Sequence, residues 1–345
     1  MQKIIKQVVG IDVAQKELVV CLGRMYEDLT TELHGGRSFA NDLNGFTALL
    51  NWVKKMSVPS ADIRYVMEAT GVYHESLAYY LADQGAMVSI VLPNKISNYS
   101  KTLEIKTITD KTSSQAIALF GLERSLGDWK KPGKIFRQLR QLTRERDQII
   151  THRTVAKNQM HAEQAGAEPN NKSIARLQKQ INLYNQQVQE ITEELQSLIQ
   201  QDQHLSESVK LICTLPGVGP LTAVTVLGET SGFDLIRNRK QLASYAGLDV
   251  KEKQSGTSVK GKPKISKKGN RYLRKAMHMP ALAAIRHDDR FKGVFSRLVA
   301  KHGIKMKAAV AVQRKLLEMI YILYKTNKPY DKHYLKKLES GTTAP

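Results

Sequence analysis

Cysteine is nearly missing from this sequence: Cys21 and Cys213 stand far apart, each within an apolar stretch. Neither a disulfide framework nor a Cys/His zinc site can be assembled from two such residues, and buried, reduced thiols are expected. Long hydrophobic runs are missing too. No stretch approaches the ~18–20 apolar residues of a membrane span, and MQKIIKQVVG leads straight into an expected strand, leaving no room for a signal peptide. The expected compartment is the cytoplasm, with no membrane partner. Acid is the third shortage: 32 Asp and Glu face 53 Lys and Arg, a formal net charge of +21. That excess is more than solubility requires, and a nucleic-acid backbone is the most economical partner for it. What the chain has in quantity is material for cores. Its 345 residues are 41% hydrophobic, which suits two domains better than one.

Three of the scarce acids sit at the ends of short apolar runs: Asp12 in VVGIDVAQKELVV, Glu68 in IRYVMEATG and Asp110 in IKTITDKTSS. Residues 6–13 and 17–23 are β-branched apolar runs separated by a short turn, a hairpin pattern. A strand near 36–40, a helix over 42–55, a strand at 63–69, a helix near 73–84, a strand at 87–92 ending at Pro93 and a helix over 109–125 follow. The order βββαβαβα fits an RNase H-like α/β sheet over residues 1–128, with Asp12 on the first strand, Glu68 on the fourth and Asp110 near the start of the last helix. Hard oxygen ligands converging from three elements suit Mg²⁺ or Mn²⁺. Taken singly, each acid also has a plainer role: Asp12 as a turn former, Asp110 as a helix cap, Glu68 as a solvated edge residue.

The segments GIDVAQKE, MEATGVYHE and KTITDKTSSQAIA resemble the three blocks of the insertion-sequence 110 family of transposases and the related Piv DNA invertases. The resemblance implies a metal site like that of RuvC-type Holliday-junction resolvases. In the family pattern the third block reads Lys-Thr-Asp-x-x-Asp-Ala, with two acids sharing one helix face. This chain has Asp110 but carries Ser113 where the second acid belongs. A hydroxyl is a neutral, weaker ligand, so with Ser113 among the metal ligands one metal is expected to be held less tightly, or water to complete the shell.

WKKPGK (129–134) breaks the pattern and marks the first expected boundary. Beyond it Ile174, Leu177, Ile181, Tyr184, Val188, Ile191, Leu195 and Leu198 alternate gaps of three and four, the signature of a coiled coil. A preceding helix over 135–165 has matching spacing, except that Arg146 and Arg153 occupy two seam positions. Gly166, Pro169 and Asn170 mark a turn, so residues 129–205 are expected to form an antiparallel hairpin. Its long seam would be a costly apolar patch on a monomer, and dimerisation through it is expected, although a closed intramolecular hairpin satisfies the same spacing. The resemblance implies dimers or tetramers.

Residues 206–345 are expected to form a mostly helical domain. Pro216-Gly217-Val218-Gly219 between two short amphipathic helices is a helix-hairpin-helix pattern, in which Gly217 and Gly219 let backbone N–H groups approach a phosphate; a plain αα-turn also uses Gly. Positions 251–275 then hold ten Lys and Arg against the single acid Glu252. Lys260, Lys264, Lys267, Lys268, Arg271 and Arg274, together with Gly256, Arg146 and Arg153, are the expected nucleic-acid contacts. Spacing alone assigns no nucleophile here. The block YAGL…SG…ISKKGNRYLR resembles the family's C-terminal transposase domain, whose Ser-Gly serine becomes covalently joined to DNA. Ser255, followed by Gly256, matches that position better than Ser258 or Ser266.

The resemblance thus implies a recombinase of a prokaryotic mobile element, working at the nucleoid on donor and target DNA. Asp12, Glu68 and Asp110 would hold the metal and Ser255 would attack, in a composite site to which different subunits can contribute. It also implies a structured bridge RNA as guide. Three other readings stay open: a junction-resolving nuclease using water, a Piv-like invertase, and a degenerate copy that binds nucleic acid without cutting it.

Overall fold

The protein is described from a computed structural model, which covers residues 2–69, 71–103, 107, 109–234, 236–252, 254, 255, 259–261 and 263–332. Its internal contacts divide it into two units, Met1–Lys131 and Pro132–Pro345.

The first unit opens on an antiparallel meander, β1 (Ile4–Val13), β2 (Glu17–Tyr26) and β3 (Thr31–Ala40). The β3 strand starts five residues earlier than its apolar pattern suggests, because backbone pairing with β2 carries it through the polar stretch 31–35. Next come α1 (Leu43–Met56), capped by the Asp42 carboxylate on the Gly45 N–H, β4 (Ile63–Glu68), α2 (Glu75–Asp83) and β5 (Met87–Val91). The sheet order is β3-β2-β1-β4-β5, antiparallel on the β2 side of β1 and parallel on the β4 side. This is the mixed five-stranded sheet expected from the element order. Pro93 does more than end a strand: it is the first residue of a short helix, α3 (Pro93–Ser100), where its missing N–H costs nothing. The last element of the unit is α4 (Asp110–Glu123).

Strand alternation decides which face each residue serves. Val9, Ile11 and Met67 enter a core with Phe46, Leu49, Leu77 and Leu81 of α1 and α2. Val8 and Val66 enter the opposite core, with Ile117 and Phe120 of α4. Gly10 lies on that second face, and a Cβ there would stand 2.3 Å from the Ala118 nitrogen and 2.4 Å from the Ser114 carbonyl oxygen. Only glycine allows α4 to lie this close to β1.

The second unit begins with α5 (Lys134–Ala165) and α6 (Asn171–Gln201), two antiparallel helices joined through Arg153 Nη1, which donates to Asn185 Oδ1 at 2.9 Å. All eight apolar seam residues of α6 are buried or half-buried within the single chain. The argument that an exposed seam demands a partner therefore loses its premise, since α5 supplies much of the cover. After them come α7 (Gln203–Ile212), α8 (Pro220–Thr230) and α9 (Arg239–Tyr245). Two short antiparallel ladders follow, β6 (Val250–Lys251) with β9 (Lys264–Ile265) and β7 (Gln254–Ser255) with β8 (Val259–Lys260). The chain continues through α10 (Arg271–Ala276), α11 (His278–His287), α12 (Asp289–His302) and α13 (Lys305–Thr326). Leu139, Leu142, Ile191 and Leu195 of the hairpin share one core with Leu227, Phe233, Leu316 and Ile320, so the segments delimited at 205/206 in the sequence lie in a single unit. The polar end, 333–345, lies outside the described residues. Among the described residues no helix is long and apolar enough to cross a membrane.

Candidate active site

The β1–β4 register pairs Ile11 with Met67, so one residue further along both strands Asp12 and Glu68 stand level at the carboxyl end of the parallel pair. Both fall on the face covered by α4, by the same alternation that places Val8 and Val66 there. Helix α4 brings the rest. Thr109 is its cap, its hydroxyl accepting from the Thr112 N–H while the Thr112 hydroxyl accepts from the Thr109 N–H. Asp110 is therefore not the capping residue; it is the first residue of the helix and exposed, and Ser113 is half-buried one turn on.

These groups act on one another. Burial, then the charges of Asp110 and Glu68, push the Asp12 carboxyl up to about 6, against the pull of hydrogen bonds from the Val13 N–H and the Ser113 hydroxyl. Three carboxylates whose fields overlap in a partly desolvated corner form a donor set that suits a hard divalent cation. As placed, however, no three His, Cys, Asp or Glu side chains among the described residues stand at the spacing of a single ion. Glu68 and Ser113 also line a cleft of about 400 Å³ with Asn94, Ser97, Lys101 and Thr112. The thiols take no part: burial pushes Cys21 up to about 11 and raises Cys213 as well.

Ser255 lies on β7, its backbone paired with Val259; Gly256 lies outside the described residues. Lys264, Lys267, Lys268 and Arg271 are exposed, as a phosphate-binding surface requires. Arg274 is otherwise engaged, its Nη1 donating to the carbonyls of Ala246 at 2.7 Å and Gly269 at 3.1 Å. Gly217 is likewise claimed by packing. It has φ +80°, and a Cβ would come within 2.6 Å of the Pro280 carbonyl oxygen, so its glycine is explained by α11 rather than by a phosphate. Gly219, at the start of α8, faces open space. Arg146 is half-buried, and burial, then the charge of Arg153, hold its pKa below the ordinary value. Its Nε has no partner among the described residues, and it opens on a cleft shared with Tyr272 and Lys275.

One polar centre was not anticipated. Glu229 of α8, 3% exposed, accepts from Arg144 Nε at 2.6 Å, Arg144 Nη2 at 2.8 Å and Asn270 Nδ2 at 2.6 Å. The sequence did hold a signal for it: Glu229 is the only charged residue between Leu211 and Phe233, a lone acid on an otherwise apolar helix that must find a partner when buried.

Two family models match this chain. One, described as "Transposase IS116/IS110/IS902 family", matches residues 209–296, and a second transposase model, that of the IS110 DEDD type, matches residues 9–163. The chain belongs to the IS110 family of transposases. The two matches enclose, respectively, the Ser255 and Glu229 region and all three acids. The transposase is 28% identical to the pilin gene-inverting protein of Moraxella lacunata over 335 residues, 95% of this chain and 98% of the relative. It is 23% identical to the transposase for insertion sequence element IS1111A of Coxiella burnetii over 300 residues, 77% of this chain and 78% of the relative. Among solved structures, RuvC of T. thermophilus in complex with a Holliday junction substrate aligns over 36% of this chain and 99% of its own, at 11% identity and a TM-score of 0.28. That likeness is too loose to add to the strand order already described. As a member of the family the transposase is a DNA recombinase, an enzyme that cleaves and rejoins strands.

Proposed function

We propose that Asp12, Glu68 and Asp110, with the Ser113 hydroxyl, draw together on a divalent cation, Mg²⁺ or Mn²⁺, from the wider spacing they have here, and that Ser255 is the nucleophile. The observation that carries the acidic half is the grouping at Asp12: burial, and then two neighbouring carboxylates, raise its pKa, so the corner is short of positive charge. A bound cation would supply that charge and polarise a backbone phosphate. Ser113 is neutral where the family pattern has an acid, which lowers the negative charge such a cation would meet.

Ser255 Oγ attacks the phosphorus and forms a phosphoserine ester as one phosphorus–oxygen bond to deoxyribose breaks. The serine proton is released and the departing sugar oxygen takes one up. Attack on the ester by another strand's hydroxyl reverses the step and rejoins DNA without an external energy source. Lys264, Lys267, Lys268 and Arg271 offset phosphate charge along this path. The open N-terminus of α8 at Gly219 can receive a further phosphate, as the helix-hairpin-helix reading has it. A structured bridge RNA as guide is supported by the resemblance and by the net charge of +21. Assembly into dimers or tetramers through the hairpin rests on the resemblance and on the two large apolar side chains the hairpin leaves half exposed, Val155 and Leu183.

The test is to follow strand exchange on a plasmid carrying the gene with its flanking DNA. Asp12→Ala and Ser255→Ala should each abolish exchange while the purified protein still binds the flanking DNA. Wild-type protein denatured during the reaction should carry covalently attached DNA that Ser255→Ala lacks. Normal exchange by Ser255→Ala would falsify the serine mechanism, and cleavage without an adduct would point to a resolvase using water. Inversion of a segment is a second reading, favoured by the near full-length similarity to the pilin gene-inverting protein; the orientation of the new joints separates it from transposition.

A further inference from the structure

The chain on either side of Ser255 is drawn together at its base. Running out, residues 244–251 lead from α9 into β6; running back, 264–270 lead from β9 into α10. The two legs are laced by backbone hydrogen bonds, Ser266 N–H to the Asp249 carbonyl at 2.8 Å, Lys267 N–H to Gly247 at 3.1 Å and Asn270 N–H to Tyr245 at 2.7 Å. They approach so closely that a Cβ on Gly269 would stand 2.4 Å from the Tyr245 carbonyl oxygen.

Both legs end on the same residue. Tyr245, the last residue of α9, donates its hydroxyl to the Glu229 carbonyl oxygen at 3.0 Å. Asn270 donates its amide to Glu229 Oε2, while its own Oδ1 caps α10 by accepting from the Tyr272 and Leu273 N–H groups. The carboxylate is held in turn by the two-pronged Arg144 of α5, whose guanidinium also lies 4.5 Å from the centre of the Tyr272 ring. Three N–H donors on two oxygens, almost fully buried, leave the carboxylate one orientation.

We propose that Glu229 is a positioning residue for Ser255: it fixes the base of the loop that carries the serine and, through Arg144, sets that base against helix α5. This inference rests on the serine reading above. Ser255 is five residues along the chain from Val250, a reach of at most about 17 Å, so the base limits where the serine can stand. A displacement of about 1 Å at a reacting atom can cost about 10²-fold in rate.

The variants are Glu229→Gln, which must turn one amide N–H toward a donor, and Asn270→Asp, which keeps an oxygen to cap α10 but sets a second carboxylate against Glu229. Glu229→Asp keeps the charge with shorter reach. Each is compared with Ser255→Ala for strand exchange on the plasmid carrying the gene and its flanking DNA, and as purified full chain for melting midpoint and affinity for the flanking DNA. Measured well below every melting midpoint, the first two should lose about tenfold to a hundredfold in exchange rate with DNA affinity retained, a loss larger than their lowered midpoints account for, and Glu229→Asp should recover part of the loss. If both exchange strands at the wild-type rate while Ser255→Ala is inactive, the positioning role is refuted and the serine reading stands. If they lose activity only in step with melting midpoint and DNA affinity, Glu229 is a structural tie and the role is likewise refuted. Normal exchange by Ser255→Ala removes the serine reading and the positioning role with it.

Discussion

Gly10 on β1 and Ser114 on α4 approach so closely that a methyl group on Gly10 would stand 2.4 Å from the Ser114 carbonyl oxygen. Backbone meets backbone there, one turn below Asp110 and two residues before Asp12. Gly10→Ala should therefore lift the start of α4 away from the sheet. The expected cost is about 1–3 kcal/mol from overpacking, with strand exchange lost because the acids separate. Thermal unfolding and the plasmid assay check the two parts; wild-type behaviour in both would contradict the packing.

Asp12 carries a pH dependence of definite sign. Its carboxyl is raised from the usual 3.8 to about 6 in the folded protein, so the folded state binds this proton more tightly than the unfolded chain. The penalty is absent below about pH 4, grows between pH 4 and 6, and is complete above 6. Without divalent cation, Asp12→Asn should stabilise the protein at pH 7 by on the order of 1–2 kcal/mol, a figure reduced for partial solvent screening. The gain should vanish near pH 4. Added Mg²⁺ or Mn²⁺ should raise the melting midpoint of the wild type more than that of the variant. Equal midpoints for the two proteins at pH 7 in chelator would show that Asp12 bears no such penalty from burial and neighbouring charge.

The two glycines of the Pro216–Gly219 turn should part company. Gly217→Ala forces a side chain into a left-handed backbone and against the Pro280 carbonyl, and should destabilise by roughly 2–4 kcal/mol. Gly219→Ala meets nothing within 4 Å and should melt as the wild type does. If Gly219 is where a phosphate approaches, that same variant should bind DNA more weakly, read by titration at fixed salt.

Lys264, Lys267 and Lys268 are exposed beside the β9 ladder. Replacing all three with Gln should leave melting unchanged and flatten the salt dependence of DNA binding. The slope of log affinity against log salt should fall by about 0.9 for each phosphate that these lysines neutralise in the wild type. An unchanged slope would place the nucleic acid elsewhere.

Much of the first unit was legible because its signals are local. Alternation in VVGIDV and IRYVME gives strands, and the element order gives the mixed sheet. The same alternation puts Asp12 and Glu68 on one face once the two strands are known to be parallel neighbours. The seam of α6 was equally legible, yet its cover was not, since spacing reports that a stripe is apolar and says nothing of whether the same chain hides it. Pro93 misled in a smaller way, because a proline that ends a strand and one that starts a helix look alike in sequence.

The basic region shows the limit most clearly. Charge counting treats Arg271 and Arg274 alike, but Arg274 is bound to two carbonyls at the base of the Ser255 loop. Gly217 and Gly219 likewise have the same spacing pattern and different neighbours.

By itself, then, the sequence determined the strand and helix periods, the basic balance and the family blocks, all of which depend on residues near one another in the chain. Tertiary structure alone decided that Asp110 and Glu68 raise Asp12, that α5 covers the α6 seam, and that Arg144, Tyr245 and Asn270 meet at Glu229. Those relationships join residues up to 126 positions apart, Arg144 to Asn270, and depend on packing that no local pattern encodes.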